Sequence, residues 1–221
     1  MKKIALIVAG GKGTRMNHHT PKQFLLLKNK PVLYYTIKTF FEAYDDMEVI
    51  LVLPDEHIDK GKEIIDGYFG YSRVRLCAGG ATRFHSVKNG LSLIDEDCII
   101  FVHDGVRCLL SKDLVHRCYN VAAETGNAVP VADCNDTVRY ISTKGNKILN
   151  RNKIKLVQTP QTFHSKILIP AFNIDYKKKF TDEAIVVEAY GIKVNLIEGE
   201  KTNIKITTPA DLKLAEALLS E

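Results

Sequence analysis

The chain has 221 residues, 45% of them hydrophobic, with 31 Lys and Arg against 26 Asp and Glu for a formal charge of +5. That apolar content supports a full core and excludes a disordered chain. The mild positive charge suits a small anionic ligand but supplies no dense basic arm for nucleic acid. No apolar run approaches the ~18 residues of a membrane span, so the sequence reads as one large cytoplasmic domain.

In chain order, Lys2-Lys3 and the apolar residues 4–9 imitate the start of a signal peptide. The run is too short and ends in a glycine loop, so it predicts a buried first strand over 3–8. Ile- and Val-rich runs predict further strands over 48–53, 73–77 and 98–102. Helices are predicted over 31–43, 57–68 and 82–94, and from the Ser111 N-cap through about Thr125 to Gly126. This alternation predicts a three-layer α/β domain with a mostly parallel sheet, whose ligands gather at the carboxyl ends of strands.

Residues 134–158 break the pattern. Strands over 138–141 and 154–157, separated by a polar, glycine-containing stretch, predict a hairpin arm. The arm has little apolar surface of its own and should pack on something else, such as a second subunit. Helices from about Ser165, over 182–190 and from Pro209, with a strand over 193–197, complete the chain. Lys177-Lys178-Lys179 reads as a solvated loop and His18-His19 as an exposed one. The five cysteines (Cys77, Cys98, Cys108, Cys118 and Cys134) include no C-x-x-C pair. They predict neither a disulfide framework nor a structural zinc site.

The chemistry concentrates in the loop after the first strand. It reads Ala9-Gly10-Gly11-Lys12-Gly13-Thr14-Arg15-Met16, then Pro21-Lys22-Gln23-Phe24. Glycines let backbone N–H groups approach phosphate oxygens, and Arg15 and Lys22 add two cations. The P-loop spacing is missing, and Met16 stands where a dinucleotide fingerprint needs its third glycine. The loop therefore reads as a site where a triphosphate is bound and then attacked. Asp104, in His103-Asp104-Gly105-Val106-Arg107, stands just past a buried strand, where a carboxylate can hold a Mg²⁺ that bridges phosphates. Gly79-Gly80-Ala81-Thr82-Arg83, with Ser86 on the next helix, permits a flat ring to lie against backbone. Alone, each of these segments also suits an ordinary strand–helix turn, and Arg151 and Lys205 singly suit surface charges.

Together with Thr159-Pro160-Gln161, Thr181-Asp182-Glu183-Ala184 and Asn203-Ile204-Lys205-Ile206-Thr207, these motifs recur in one order. The ensemble resembles the 2-C-methyl-D-erythritol 4-phosphate cytidylyltransferase family along essentially the whole chain. The resemblance implies a Rossmann-like nucleotidyltransferase fold with a protruding β-hairpin arm. It also implies transfer of CMP from CTP to the acceptor phosphate, with Mg²⁺ and release of pyrophosphate. Arg15 and Lys22 would then stabilise charge on the triphosphate, cradled by Ala9, Gly10, Gly11, Gly13 and Thr14. Backbone around Ala9, Gly80 and Ala81, with Ser86, would read cytosine. Asp104 would bind Mg²⁺, and Arg151 and Lys205 would position the acceptor phosphate. Arg107, Thr137 and Thr159 would also contact substrate. The arm would cross to a second subunit, so that Arg151 and Thr137 serve the partner's site in a homodimer.

Three positions depart from the family pattern: Ala81 and Asn150 stand where acidic residues are common, and Cys108 where proline is common. A sister family that uses D-ribitol 5-phosphate shares several motifs, although Leu149-Asn150-Arg151-Asn152 looks more like the methylerythritol enzymes. A non-catalytic nucleotide-binding protein and a weak RNA binder are the readings of another class. The intact charges of Arg15, Lys22, Asp104 and Lys205 weigh against the first. The lack of clustered basic and aromatic residues weighs against the second.

Overall fold

A computed structural model describes residues 1–11 and 20–219. Strand β1 (Lys2–Val8) is the centre of the fold, and its burial explains its composition. Ile4 and Leu6 point into one core, Ala5 and Ile7 into another. A strand covered on both faces needs an unbroken apolar run, not an alternating one. The same holds for β4 (Met47–Leu53) and β6 (Cys98–Asp104), every residue of which is buried except Glu48. β1 pairs parallel with both, and β4 pairs parallel with β5 (Val74–Ala78).

Three helices close one face: α1 (Val32–Ala43), α2 (Ile58–Tyr68) and α4 (Lys112–Thr125) bring Leu33, Phe40, Ile65 and Leu114 onto Ala5, Val49, Leu51 and Phe101. On the other face, α3 (Arg83–Leu91), α5 (Ser165–Ala171) and α6 (Glu183–Ala189) bring Phe84, Val87, Leu168 and Val187 onto Leu6, Ile50, Val52 and Ile100. The result is the expected three-layer α/β/α arrangement. As the sequence predicts, Ser111 caps α4 by accepting from the Leu114 N–H, and Gly126 ends that helix at φ +93°.

β6 lies on the opposite side of β1 from β4, so the sheet reverses its order of growth between β1 and β6. Beyond β6 the sheet becomes mixed. β11 (Gln161–His164) runs antiparallel to both β6 and β7 (Asn127–Asp133), while β12 (Leu196–Glu198) pairs parallel with β7. Because β11 runs backwards, its first residues lie at the carboxyl end of β6. A short β2–β3 hairpin (Leu26–Leu27 with Lys30–Pro31) and α7 (Pro209–Leu218) frame a small third cluster around Val32, Val106, Cys108 and Ile206.

The arm differs from expectation in its pairing. β8 (Val138–Ser142) pairs with β9 (Gly145–Leu149), not with residues 154–157. Those residues supply β10 (Lys155–Val157), which joins the main sheet antiparallel to β7. The final strand is also displaced, to Leu196–Glu198 from the predicted 193–197. The five cysteines carry no disulfide, and Cys98, Cys108 and Cys118 are buried as small apolar groups. No helix among the described residues is long and apolar enough to cross a membrane.

Candidate active site

The parallel ladder continues past the strand ends and brings three loops to one edge. Ala9 N–H donates to Val52 O (2.9 Å), Gly79 N–H to Leu53 O (2.7 Å) and Gly105 N–H to Val8 O (3.0 Å). A cleft of about 690 Å³ opens there, lined by Ala9, Gly10, Gly11, Lys22, Gly80, Ala81, Arg83, Ser86, Asp104 and Lys205 among others. Its size is that of a small-molecule site, and it lies at the switch point of the sheet, where ligands of open α/β folds bind.

Each wall has a local cause. Pro21 introduces a 3₁₀ turn over Lys22–Phe24, and Gln23, fully buried, donates to Ala9 O at 2.8 Å. This fixes the turn against the glycine loop. The Lys22 stem then runs beside Gly11, with Cε 3.8 Å from where a Cβ would stand. On the facing wall the loop after β5 lies flat on the first turn of α3. A Cβ on Gly80 would stand 2.4 Å from His85 Cβ, so only glycine fits. Gly80 N–H donates to Ser86 Oγ (3.1 Å), and Thr82 caps α3 by accepting from the His85 N–H.

The cleft floor is ionic. Asp104, 6% exposed, is held by the Arg83 guanidinium on Oδ1 and by Lys205 Nζ on Oδ2 (2.8 Å), with Arg107 Nε 3.5 Å from Oδ2. Burial alone would raise the Asp104 carboxyl, but Arg83, Lys205 and Arg107 outweigh it and hold it well below the usual carboxylate range. Arg83 also forks onto Glu183, with Nε 3.1 Å from Oε1 and Nη2 3.0 Å from Oε2. Three cations thus face two buried carboxylates, and the floor favours a polyanion.

Behind Asp104 a hydrogen-bond chain sets its backbone. Asp104 N–H donates to Thr159 Oγ1 (3.1 Å), and Thr159 Oγ1 meets His103 Nδ1 (3.0 Å). His103 Nε2 meets Arg107 O (3.1 Å), a carbonyl that can only accept. Nε2 therefore carries a proton, and in the neutral imidazole Thr159 donates to Nδ1. Burial pushes the His103 pKa down to about 3. The unfolded chain takes up a proton near pH 6.5 that the folded chain refuses, so stability present above that pH is lost as pH falls. Denaturant melts should show a loss of about 2 kcal/mol between pH 7.5 and 5. A flat profile over that window would contradict the neutral, buried imidazole.

The predicted site residues fall into three sets. Ala9, Gly10, Gly11, Lys22, Gly80, Ala81, Ser86, Asp104 and Lys205 line the cleft together. Arg107 and Thr159 stand behind Asp104, Arg107 also donating to Asn203 O (2.7 Å). Thr137 and Arg151 are exposed and lie outside the cleft of their own chain, and Arg151 donates to Asn135 O (2.6 Å). Gly13, Thr14 and Arg15, with His18-His19, lie outside the described residues. Sequence reading gave no role to Glu183, Gln23, His103 or Arg83. The usable signal was a charged residue directly after a helix cap, at Thr82-Arg83 and Asp182-Glu183, the second followed by the apolar run Ala184-Ile185-Val186-Val187.

A parallel sheet that reverses beside β1, a buried lysine beside the glycine loop and a cation-ringed aspartate fit a nucleotidyltransferase. Comparison with known proteins narrows this. The model of the 2-C-methyl-D-erythritol 4-phosphate cytidylyltransferase (IspD) family matches residues 3–221. A protein of that name from Bacteroides fragilis is 47% identical over 99% of this chain and 100% of its own length. The crystal structure of 4-diphosphocytidyl-2C-methyl-D-erythritol synthase from Anaerococcus prevotii superposes with a TM-score of 0.83 at 29% identity, covering 100% of this chain and 97% of that one. The bifunctional IspDF of Campylobacter jejuni gives 0.82 at 31% identity, over 96% of this chain but only 54% of its own. The chain belongs to the 2-C-methyl-D-erythritol 4-phosphate cytidylyltransferase family, and is an enzyme of CTP-dependent cytidylyl transfer in isoprenoid biosynthesis.

Proposed function

We propose that the cleft joins CMP from CTP to 2-C-methyl-D-erythritol 4-phosphate with the residues it gathers at the carboxyl ends of β1, β4, β5 and β6. The observation that carries this is a family match running from residue 3 to the end, in a chain whose cleft brings Lys22, Asp104 and Lys205 beside the glycine loops. An oxygen of the acceptor phosphate attacks the α-phosphorus of CTP. The bond from that phosphorus to the bridging oxygen breaks, and pyrophosphate leaves with the electron pair. No general base is required, because a phosphomonoester is ionised near neutral pH. Both reactants are anions, so catalysis is positioning and charge stabilisation. Arg15 and Lys22 serve the triphosphate, and Lys205 with the partner subunit's Arg151 the acceptor phosphate. Backbone at Ala9, Gly80 and Ala81, with Ser86, reads cytosine.

Asp104 suits the role of protein ligand to Mg²⁺. It is ionised, it lines the cleft, and Lys205, one of its pairing cations, is a side chain 42% exposed. Among the described residues no group of three or more His, Cys, Asp or Glu side chains could hold a metal. An ion here would take most of its ligands from phosphate oxygens and water, as Mg²⁺ commonly does. When bound it would neutralise charge on the reacting phosphates. Pyrophosphate release from CTP should require the methylerythritol acceptor, cease in EDTA and return with excess Mg²⁺, and Asp104→Asn should impair that return. Full activity in EDTA would refute the metal role, and turnover with D-ribitol 5-phosphate instead would reassign the acceptor.

The arm is the basis of a proposed homodimer. Tyr140, Ile141 and Ile148 are exposed on a hairpin that forms a sheet of its own, and Leu156 and Val157 are exposed on β10. A two-stranded sheet is marginal alone, and a two-fold partner would cover it. Arg151 and Thr137 would then reach the partner's cleft. The unpaired thiols suit a reducing cytoplasm.

A further inference from the structure

Thr181-Asp182-Glu183-Ala184 has no role in the chemistry above, yet the structure uses it closely. Asp182 caps α6 by accepting from the Ile185 N–H at 3.0 Å. Ala184 N–H donates to Gln161 Oε1 at 2.7 Å. Gln161 is the first residue of β11 and stands opposite Val102 of β6, two residues before Asp104. The start of α6 is therefore tied to β11, the strand paired with the one that carries Asp104.

Between these two points lies Arg83. Glu183 is 1% exposed and does not line the cleft. Among the described residues its carboxylate bonds to Arg83 alone, through both oxygens. A guanidinium is a rigid planar fork. With Nε and Nη2 committed to Glu183, the direction of Nη1 is no longer free, and Nη1 is the atom on Asp104 Oδ1. We propose that Glu183 is a positioning residue for the reaction, which through Arg83 fixes Oδ1 of Asp104 and leaves Oδ2, the oxygen shared with Lys205, toward the reacting phosphates. This rests on the reading of Asp104 as the carboxylate at those phosphates.

The test compares Glu183→Gln, Arg83→Gln, their double variant and Asp104→Asn with the wild-type enzyme. Glutamine keeps the shape of Glu183 but cannot hold the fork with two anionic oxygens. Glu183→Gln should lower kcat about 10- to 100-fold, the usual cost of losing an outer partner of a functional carboxylate. The KM for CTP should stay within about threefold, and circular dichroism should show an intact fold. Calorimetry adds a readout independent of turnover: CTP affinity without metal should be unchanged, while its strengthening by Mg²⁺ should shrink. If Glu183 acts through Arg83, the double variant should be no slower than Arg83→Gln alone. Should Glu183→Gln not fold, the double variant, which leaves neither charge unpaired, carries the same comparison through its metal-dependent CTP affinity. A folded Glu183→Gln enzyme with wild-type kcat, or losses that multiply in the double variant, would overturn the inference while Asp104→Asn remains impaired. A fully active Asp104→Asn enzyme would overturn both it and the reading beneath it.

Discussion

Replacing Lys22 by alanine should cut turnover by about 10²-fold or more, the scale on which enzymes lose rate when one preorganised transition-state donor is removed. Lys22 is 8% exposed, lines the cleft and runs beside Gly11. Its ammonium would answer the negative charge of the triphosphate, most of all as charge shifts onto the leaving pyrophosphate. Burial offers a competing account, since alanine also removes a packed stem next to Gln23 and Phe24. Lys22→Met separates the two. It refills the space and lacks only the charge, so it should be as slow as Lys22→Ala if the ammonium matters. Steady-state pyrophosphate release from both purified variants, with thermal melts to confirm folding, decides it. Near wild-type turnover in Lys22→Met would return Lys22 to a packing role.

The parts of this molecule legible in the sequence are those where local pattern and tertiary role coincide. β1, β4 and β6 are buried on both faces, so their apolar runs are continuous and their ends stand out. The caps at Ser111 and Asp182 announce their helices because a side chain there must satisfy an open N–H. The arm was misread because its true second strand, Gly145–Leu149, has only two apolar residues and pairs through the short turn at Thr143-Lys144, with Gly145 at φ +118°. The more strand-like residues 155–157 pair instead with β7, a contact that no local pattern reveals. β7 itself is obscured by Pro130. At the site, Gly10, Gly11, Gly80 and Asp104 line one cleft because each stands just past the end of a strand that the sequence pattern already marks. Glu183 was not legible, since its value lies in meeting Arg83 across one hundred positions of sequence. Separation of that kind hides long-range ion pairs from any reading along the chain.

The same separation bears on Arg151. It sits on a turn after β9, exposed and outside the cleft of its own chain. That position fits a role at the acceptor phosphate of a neighbour's cleft, as proposed above. Arg15 belongs to the glycine loop, so in a two-fold dimer each active site would join Arg15 of one chain to Arg151 of the other. Arg15→Ala and Arg151→Ala should each be inactive alone. Mixed and allowed to exchange subunits, they should regain activity. In each heterodimer one site collects both lesions and the other collects neither. Random exchange makes half of the dimers mixed, and each mixed dimer has one sound site of two. Activity should therefore recover to roughly a quarter of wild type per subunit, a result that follows from two-fold symmetry alone. Native mass spectrometry of differently tagged chains would confirm that exchange took place. Complete exchange with no recovery would show that Arg151 serves its own chain, and the exposed apolar face of the hairpin would then need another explanation.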